Sequence, residues 1–176
     1  MTLRGQHRRL AGLFAIALAA ALLAMAAQTA AARPAAAPCT AGQLTGKVRE
    51  SSGAAGTIAL SIAVRNVSPA ACSVRGFPGL RLLTAASGPL PTIVVHGGLA
   101  IFIRPVTTVN IAPGARASLL VAYSDVPGGP GSCVHAKRLR IILGNGHGAF
   151  SLPFVALACS HGRLFESPFL AGLVNV

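Results

Sequence analysis

The chain predicts an all-β fold, an antiparallel immunoglobulin-like sandwich of about seven to nine short strands. Three observations carry that prediction. In residues 57–67, Ile58, Leu60, Ile62 and Val64 alternate with Thr57, Ala59, Ser61, Ala63 and Arg65, the period-two pattern of a strand with one face on a core. Turn-forming clusters recur at short intervals: Ser51-Ser52-Gly53-Ala54-Ala55-Gly56, Ser87-Gly88-Pro89, Pro113-Gly114 and Pro127-Gly128-Gly129-Pro130-Gly131. Beyond the N-terminal apolar run, no segment carries a helical apolar stripe with caps.

Taken in order, residues 1–9 hold Arg4, Arg8 and Arg9, residues 10–27 are apolar without a break, and Ala30-Ala31-Ala32 places small residues where a signal peptidase cuts. Residues 1–32 are therefore predicted to be a helical signal peptide that directs export, with cleavage after Ala37 or retention as an anchor as alternatives. Residues 33–38 form an Ala/Pro leader, and residues 39–176 one domain. Pro38 immediately before Cys39 argues against a lipid anchor on that cysteine.

Leu44 and Val48 mark a first strand within 39–50, and residues 51–56 a turn. After the strand at 57–67 comes a corner, Cys72-Ser73-Val74-Arg75-Gly76-Phe77-Pro78-Gly79, with Phe77 predicted as a core plug. Short strands are expected at 80–84, 92–95, 99–103 and 106–111. In 117–123, Leu119, Val121 and Tyr123 share a face; in 137–143, Leu139, Ile141 and Leu143 stand opposite Arg138 and Arg140. Gly144-Asn145-Gly146-His147-Gly148 then connects to a partner strand at 150–157.

Hydrophobic residues make up 53% of the chain, too many for a disordered polymer. Fifteen Lys and Arg face three acids, Glu50, Asp125 and Glu166. Removal of 1–32 takes away Arg4, Arg8 and Arg9, leaving 12 basic against 3 acidic residues, or +9. Such a surface attracts anionic polymers or lipid head groups through screened long-range forces.

Catalysis finds little support. No Gly-x-Ser-x-Gly elbow is present, Asp125 is the only aspartate, and three acids make a facing carboxylate pair improbable. Arg138 and Arg140 lack the interleaved aromatics of a nucleic-acid surface. Asn66-Val67-Ser68 fits a glycosylation sequon, but a strand end is the simpler reading.

Four cysteines in an exported domain make two disulfides in one of three pairings. Cys39–Cys72 and Cys133–Cys159 are favoured because each closes a local loop about one supersecondary unit long. Each such loop contributes roughly 3–4 kcal/mol in the chain-entropy model. An alternative uses Cys133, His135, Cys159 and His161, two Cys-x-His pairs, as a tetrahedral zinc or copper site; export favours the disulfide.

The order of Cys39, Gly56-Thr57, Asn66-Val67-Ser68, Cys72 to Gly79, Ala112-Pro113-Gly114-Ala115, Cys133 and Cys159 resembles an uncharacterised actinobacterial exported domain family. That family has four cysteines and a Cys-x-x-x-Gly-aromatic-Pro signature, and the resemblance spans residues 39–160. It implies a secreted or lipid-anchored β-sandwich with no assigned activity; Pro38 departs from the lipobox of many members.

The expectation is a secreted, non-enzymatic cell-envelope protein without cofactor or small-molecule substrate. Its partner is expected to be an anionic envelope polymer, lipid head groups or another exported protein, with nucleic acid excluded. An oligomerising structural envelope protein is the remaining alternative.

Overall fold

A computed structural model describes residues 36–129 and 132–176; the predicted signal peptide, and all but the last three residues of the leader, lie outside them. Residues Ala36–Val176 form one compact unit, and it is a β-sandwich. Its strands are β1 (Leu44–Ala54), β2 (Thr57–Asn66), β3 (Cys72–Arg75), β4 (Gly79–Leu83), β5 (Ile93–His96), β6 (Thr108–Ile111), β7 (Arg116–Ser124), β8 (Val134–Ile142), β9 (Ala149–Ala158), β10 (Arg163–Glu166) and β11 (Leu170–Ala171). The large sheet runs β1-β2-β7-β10-β5, with β11 also paired to β7. A second sheet runs β4-β8-β9, and β3 pairs with β6.

Several expectations need correction. Among the described residues there are eleven strands, because β3, β10 and β11 are short elements whose pairing comes from distant partners. The turn expected over 51–56 shrinks to its last residues: β1 continues to Ala54, and Ala55 (φ 48°) and Gly56 (φ 75°) close a tight hairpin onto Thr57. Both residues sit in the left-handed region that two-residue hairpins demand. Residues 99–103 are not a strand. Ala100–Phe102 is a single 3₁₀ turn, because Phe102 must point inward as a fully buried plug while Ile101 and Ile103 stay exposed. The β5–β10 pair is parallel, the one departure from antiparallel pairing among the named strands; an isolated parallel bridge also joins Pro38 to Ser73.

The principal core lies between the two larger sheets. Leu60, Ile62 and Val64 of β2 and Leu119 and Val121 of β7 face Leu82 of β4, Leu139 and Ile141 of β8, and Leu152 and Phe154 of β9. Tyr123 meets Phe154 edge-on across this layer, centroids 6.0 Å apart. At the closed side of the sandwich β1 approaches β9 so closely that a Cβ on Gly46 would stand 3.1 Å from Phe150; only glycine fits there without displacing the ring.

The one-faced burial expected for β2 is wrong. Ser61 and Ala63, on the opposite face from Ile62, are also buried, as are Ser118, Leu120 and Ala122 of β7. A second, smaller core covers this outer face: Phe102, Leu120 and Ala122, with Ala59, Leu99, Phe165, Leu170, Val174 and Val176 packed around them. The C-terminal tail is fastened over it by hydroxyls. Ser118 Oγ donates to the Gly172 carbonyl (2.8 Å) and accepts from Val174 N–H (2.9 Å), and Ser61 Oγ donates to the Val174 carbonyl. Serines read as the polar face of a strand are thus the anchor points of a covering segment.

The corner after β2 is built on Asn66, which is fully buried. Its Nδ2 donates to the Ala70 (2.7 Å) and Ile111 (2.9 Å) carbonyls, and its Oδ1 accepts from Ser68 N–H (2.9 Å) and Ser68 Oγ (2.8 Å). The sequon match is therefore a strand-end lock whose amide nitrogen is occupied. Asn66→Ala removes a partner from each of these groups, and unsatisfied buried polar groups cost about 1–3 kcal/mol each. We expect it to lower unfolding free energy by about 2–4 kcal/mol in a urea titration; a change below about 0.5 kcal/mol would contradict this account of the corner.

Candidate functional site

The two disulfides are Cys39–Cys72 and Cys133–Cys159. Cys39 fixes the start of the domain to β3, helped by backbone bonds from Cys39 N–H to the Ser73 carbonyl and from Ser73 N–H to the Ala37 carbonyl, both 2.8 Å. Cys159 opens a turn, Cys159–Gly162, in which Ser160 (φ 53°) and His161 (φ 59°) are left-handed. His161 N–H donates to the Ser132 carbonyl (2.7 Å), and its side chain is exposed, as is that of His135 on β8. Both sulfurs of the Cys133, His135, Cys159, His161 set are consumed by the disulfide. The thiolates that a tetrahedral site needs are therefore absent, and among the described residues no group of three or more His, Cys, Asp and Glu is placed to hold a metal.

Phe77 is not a core plug. It is half-buried and lies against His96, with ring centroids 4.5 Å apart. Beneath the imidazole, His96 Nδ1 is 2.8 Å from Oε1 of Glu166, whose side chain is 0% exposed against 58% for His96. The backbone binds the same elements: Gly97 N–H donates to the Glu166 carbonyl (2.8 Å), and Phe169 N–H to the Gly76 carbonyl (3.0 Å). The Gly76-Phe77 corner, the end of β5 and the end of β10 thus converge on one carboxyl group.

Burial alone pushes the Glu166 carboxyl up to about 8. Glu166 Oε2 has no hydrogen-bond partner, which suits a neutral acid, since a carboxylate there would bury one charged oxygen with no donor. In the neutral form the hydroxyl at Oε1 donates to His96 Nδ1. No hydroxyl or thiol hydrogen-bonds to His96 among the described residues, so the pair lacks the adjacent nucleophile of a hydrolytic triad. Sequence reading passed over Glu166; its signal was an acid set between Leu164-Phe165 and Ser167-Pro168-Phe169 in a chain with three acids.

The second feature is electrostatic. At one end of the large sheet, Lys47, Arg49 and Arg116 line a depression of about 460 Å³ on the outer face, together with Ala63 and Leu173. Arg65 adjoins it, directly opposite Arg116 in the β2–β7 register, and donates through Nε to the Gly114 carbonyl (3.2 Å). All four cations are exposed. Glu50 follows Arg49 on β1, yet no carboxylate lies within ion-pair distance of any of the four; among the described residues the single such contact is His96–Glu166. A smaller pocket of about 250 Å³ lies beside Cys39, with Ser73, Arg75, Thr108 and His147 as its polar lining and Arg75 Nη1 hydrogen-bonded to Thr108 Oγ1 (3.3 Å).

The fold and these features define a small, disulfide-stapled all-β domain with a basic outer face. A family model covers residues 39–169, and the chain belongs to that family, described as a domain of unknown function, DUF4232. Searches of curated proteins and of solved structures return no match.

The buried acid has a measurable consequence. Its folded-state pKa, about 8, lies above the 4.5 of the free side chain. The folded state therefore holds the extra proton between those values. The associated stability is complete below about pH 4.5 and is lost as pH rises toward 8, by at most about 1.4 kcal/mol per pH unit. Unfolding free energy measured from pH 5 to 8 should fall in the wild type, whereas Glu166→Gln should flatten the slope and be the more stable protein at pH 8. Parallel pH profiles for the two proteins would refute the buried neutral acid.

Proposed function

We propose that the chain is an exported, non-enzymatic domain of the cell envelope that docks an anionic envelope component on the outer face of its large sheet. The observation that carries this reading is the placement of Arg65 directly opposite Arg116, beside Lys47 and Arg49, with no carboxylate in ion-pair distance. Like charges at opposed positions of an antiparallel pair oppose folding; the Arg65 bond to the Gly114 carbonyl holds one side chain but neutralises neither charge, and a local rule broken in this way points to a ligand. Guanidinium groups suit phosphate and carboxylate oxygens through paired N–H donors.

Export is supported by the n-region, apolar run and small-residue site of residues 1–32. The two disulfides, which fit an oxidising compartment, add to that support. Among the described residues no helix is long and apolar enough to cross a membrane. The non-enzymatic reading rests on the His96–Glu166 pair, to which no hydroxyl or thiol hydrogen-bonds through His96 among the described residues.

Binding of the protein to immobilised polyphosphate should be measurable at low ionic strength and weaken as salt rises. The Lys47→Ala/Arg49→Ala/Arg116→Ala variant should bind at least about tenfold more weakly, yet unfold at the same or higher denaturant concentration because repulsion is relieved. Salt-insensitive binding, or full binding by the triple variant, would sink the proposal.

A further inference from the structure

We infer that the anionic component is a bilayer surface, and that the segment 97–107 is the apolar part of a membrane-docking face shared with Lys47, Arg49, Arg65 and Arg116. This inference rests on the basic face just proposed and adds its occupant.

The outer face of the large sheet carries two kinds of exposed group. At one end stand the four cations. At the other, Phe102 is sunk into the outer core against Leu120 and Ala122, and the residues flanking it, Ile101 and Ile103, are 46% and 73% exposed. Arg104 follows directly and is also exposed. Between the ends runs the C-terminal tail, hydrogen-bonded to Ser61 and Ser118, with Leu173 46% exposed in the basic depression. Large aliphatic side chains and cations without an ion-pair partner thus occupy opposite ends of one face of one sheet.

A hydrophilic polyanion has use for the cations and none for the isoleucines. A bilayer with anionic head groups uses both: cations engage the head-group layer while aliphatic side chains enter the acyl boundary. The loop is also suited to insertion because it is held firmly. Phe102 anchors its centre, Phe102 N–H donates to the Leu99 carbonyl (2.8 Å), and Gly97 N–H is fixed to the Glu166 carbonyl. Gly97 (φ 69°) and Gly98 (φ 82°) turn the chain out of β5 to begin it. A rigid loop presents its apolar tip without an ordering cost on binding.

The test compares the full protein, the Ile101→Ser/Ile103→Ser variant and the Lys47→Ala/Arg49→Ala/Arg116→Ala variant. Each is assayed by co-sedimentation with phosphatidylglycerol/phosphatidylcholine vesicles, with pure phosphatidylcholine vesicles, and by binding to soluble polyphosphate. We expect the wild type to bind the anionic vesicles and not the neutral ones. The isoleucine variant should lose at least tenfold in vesicle affinity while keeping polyphosphate binding, and the cation variant should lose both. Unchanged vesicle binding by the isoleucine variant overturns the inference. So does a wild type that binds polyphosphate and ignores anionic vesicles, which leaves the basic-face proposal standing. Failure to bind either probe overturns both, and equal binding to neutral vesicles overturns the electrostatic part. An unfolding midpoint at or above that of the wild type in each variant secures the comparison.

Discussion

The β2–β7 pair is buried on both faces, and the rest of the domain is arranged around that constraint. One face supplies Leu60, Ile62, Val64, Leu119 and Val121 to the principal core. The other places small or hydroxylated residues, Ala59, Ser61, Ala63, Ser118 and Ala122, beneath a cover assembled from the 99–103 turn and the C-terminal tail. Small residues are required there because the covering backbone comes close enough to hydrogen-bond with side-chain oxygens. A two-layer sandwich has thereby acquired a partial third layer. The cover stops short of the Arg65–Arg116 rung, so the cations of β1, β2 and β7 are left in the open beside Leu173.

The remaining fastenings hold the ends of this pair. Asn66 locks the exit of β2 with four hydrogen bonds that also reach β6 through the Ile111 carbonyl. Cys39–Cys72 ties the incoming chain to β3 just beyond that corner. On the far side of β7, β10 is held by the parallel β5 and by the His96–Glu166 contact, with Phe77 lying on the imidazole. A buried acid with one unpartnered oxygen is a costly device. It joins the parallel β5–β10 strand pair to the Gly76-Phe77 corner, and its neutral form keeps the cost low below about pH 8.

The sandwich class was legible because alternation in 57–67, 117–123 and 137–143 reports directly on strand faces. Legibility ended where burial came from elsewhere in the chain. Ser61 and Ser118 read as solvent-facing because periodicity registers polarity and is blind to a tail folded over it from residues 172–174. Residues 99–103 read as a strand because an apolar run has the same composition whether it pairs or plugs; only Phe102 is inside. β10 follows a left-handed turn at Ser160 and His161 and pairs with strands more than 40 residues upstream, β7 and β5, so no local pattern announced it. The basic face was foreshadowed only as net charge. Its location needed the β1–β2–β7 register, which brings Lys47, Arg49, Arg65 and Arg116 from three strands to one end.

The proposed docking face joins two exposures, aliphatic at the 101–103 turn and cationic at the Arg65–Arg116 rung. The opposite sheet, β4-β8-β9, carries an opposed Arg81–Arg140 pair and the 76% exposed Val155, and is the rival surface. Amide hydrogen exchange of the protein, free and bound to anionic vesicles, distinguishes the two faces most directly. The account predicts added protection confined to residues 45–49, 97–107, 114–116 and 170–176, with β4, β8 and β9 unchanged. Protection centred on β8 and β9, or spread evenly over both sheets, would contradict it.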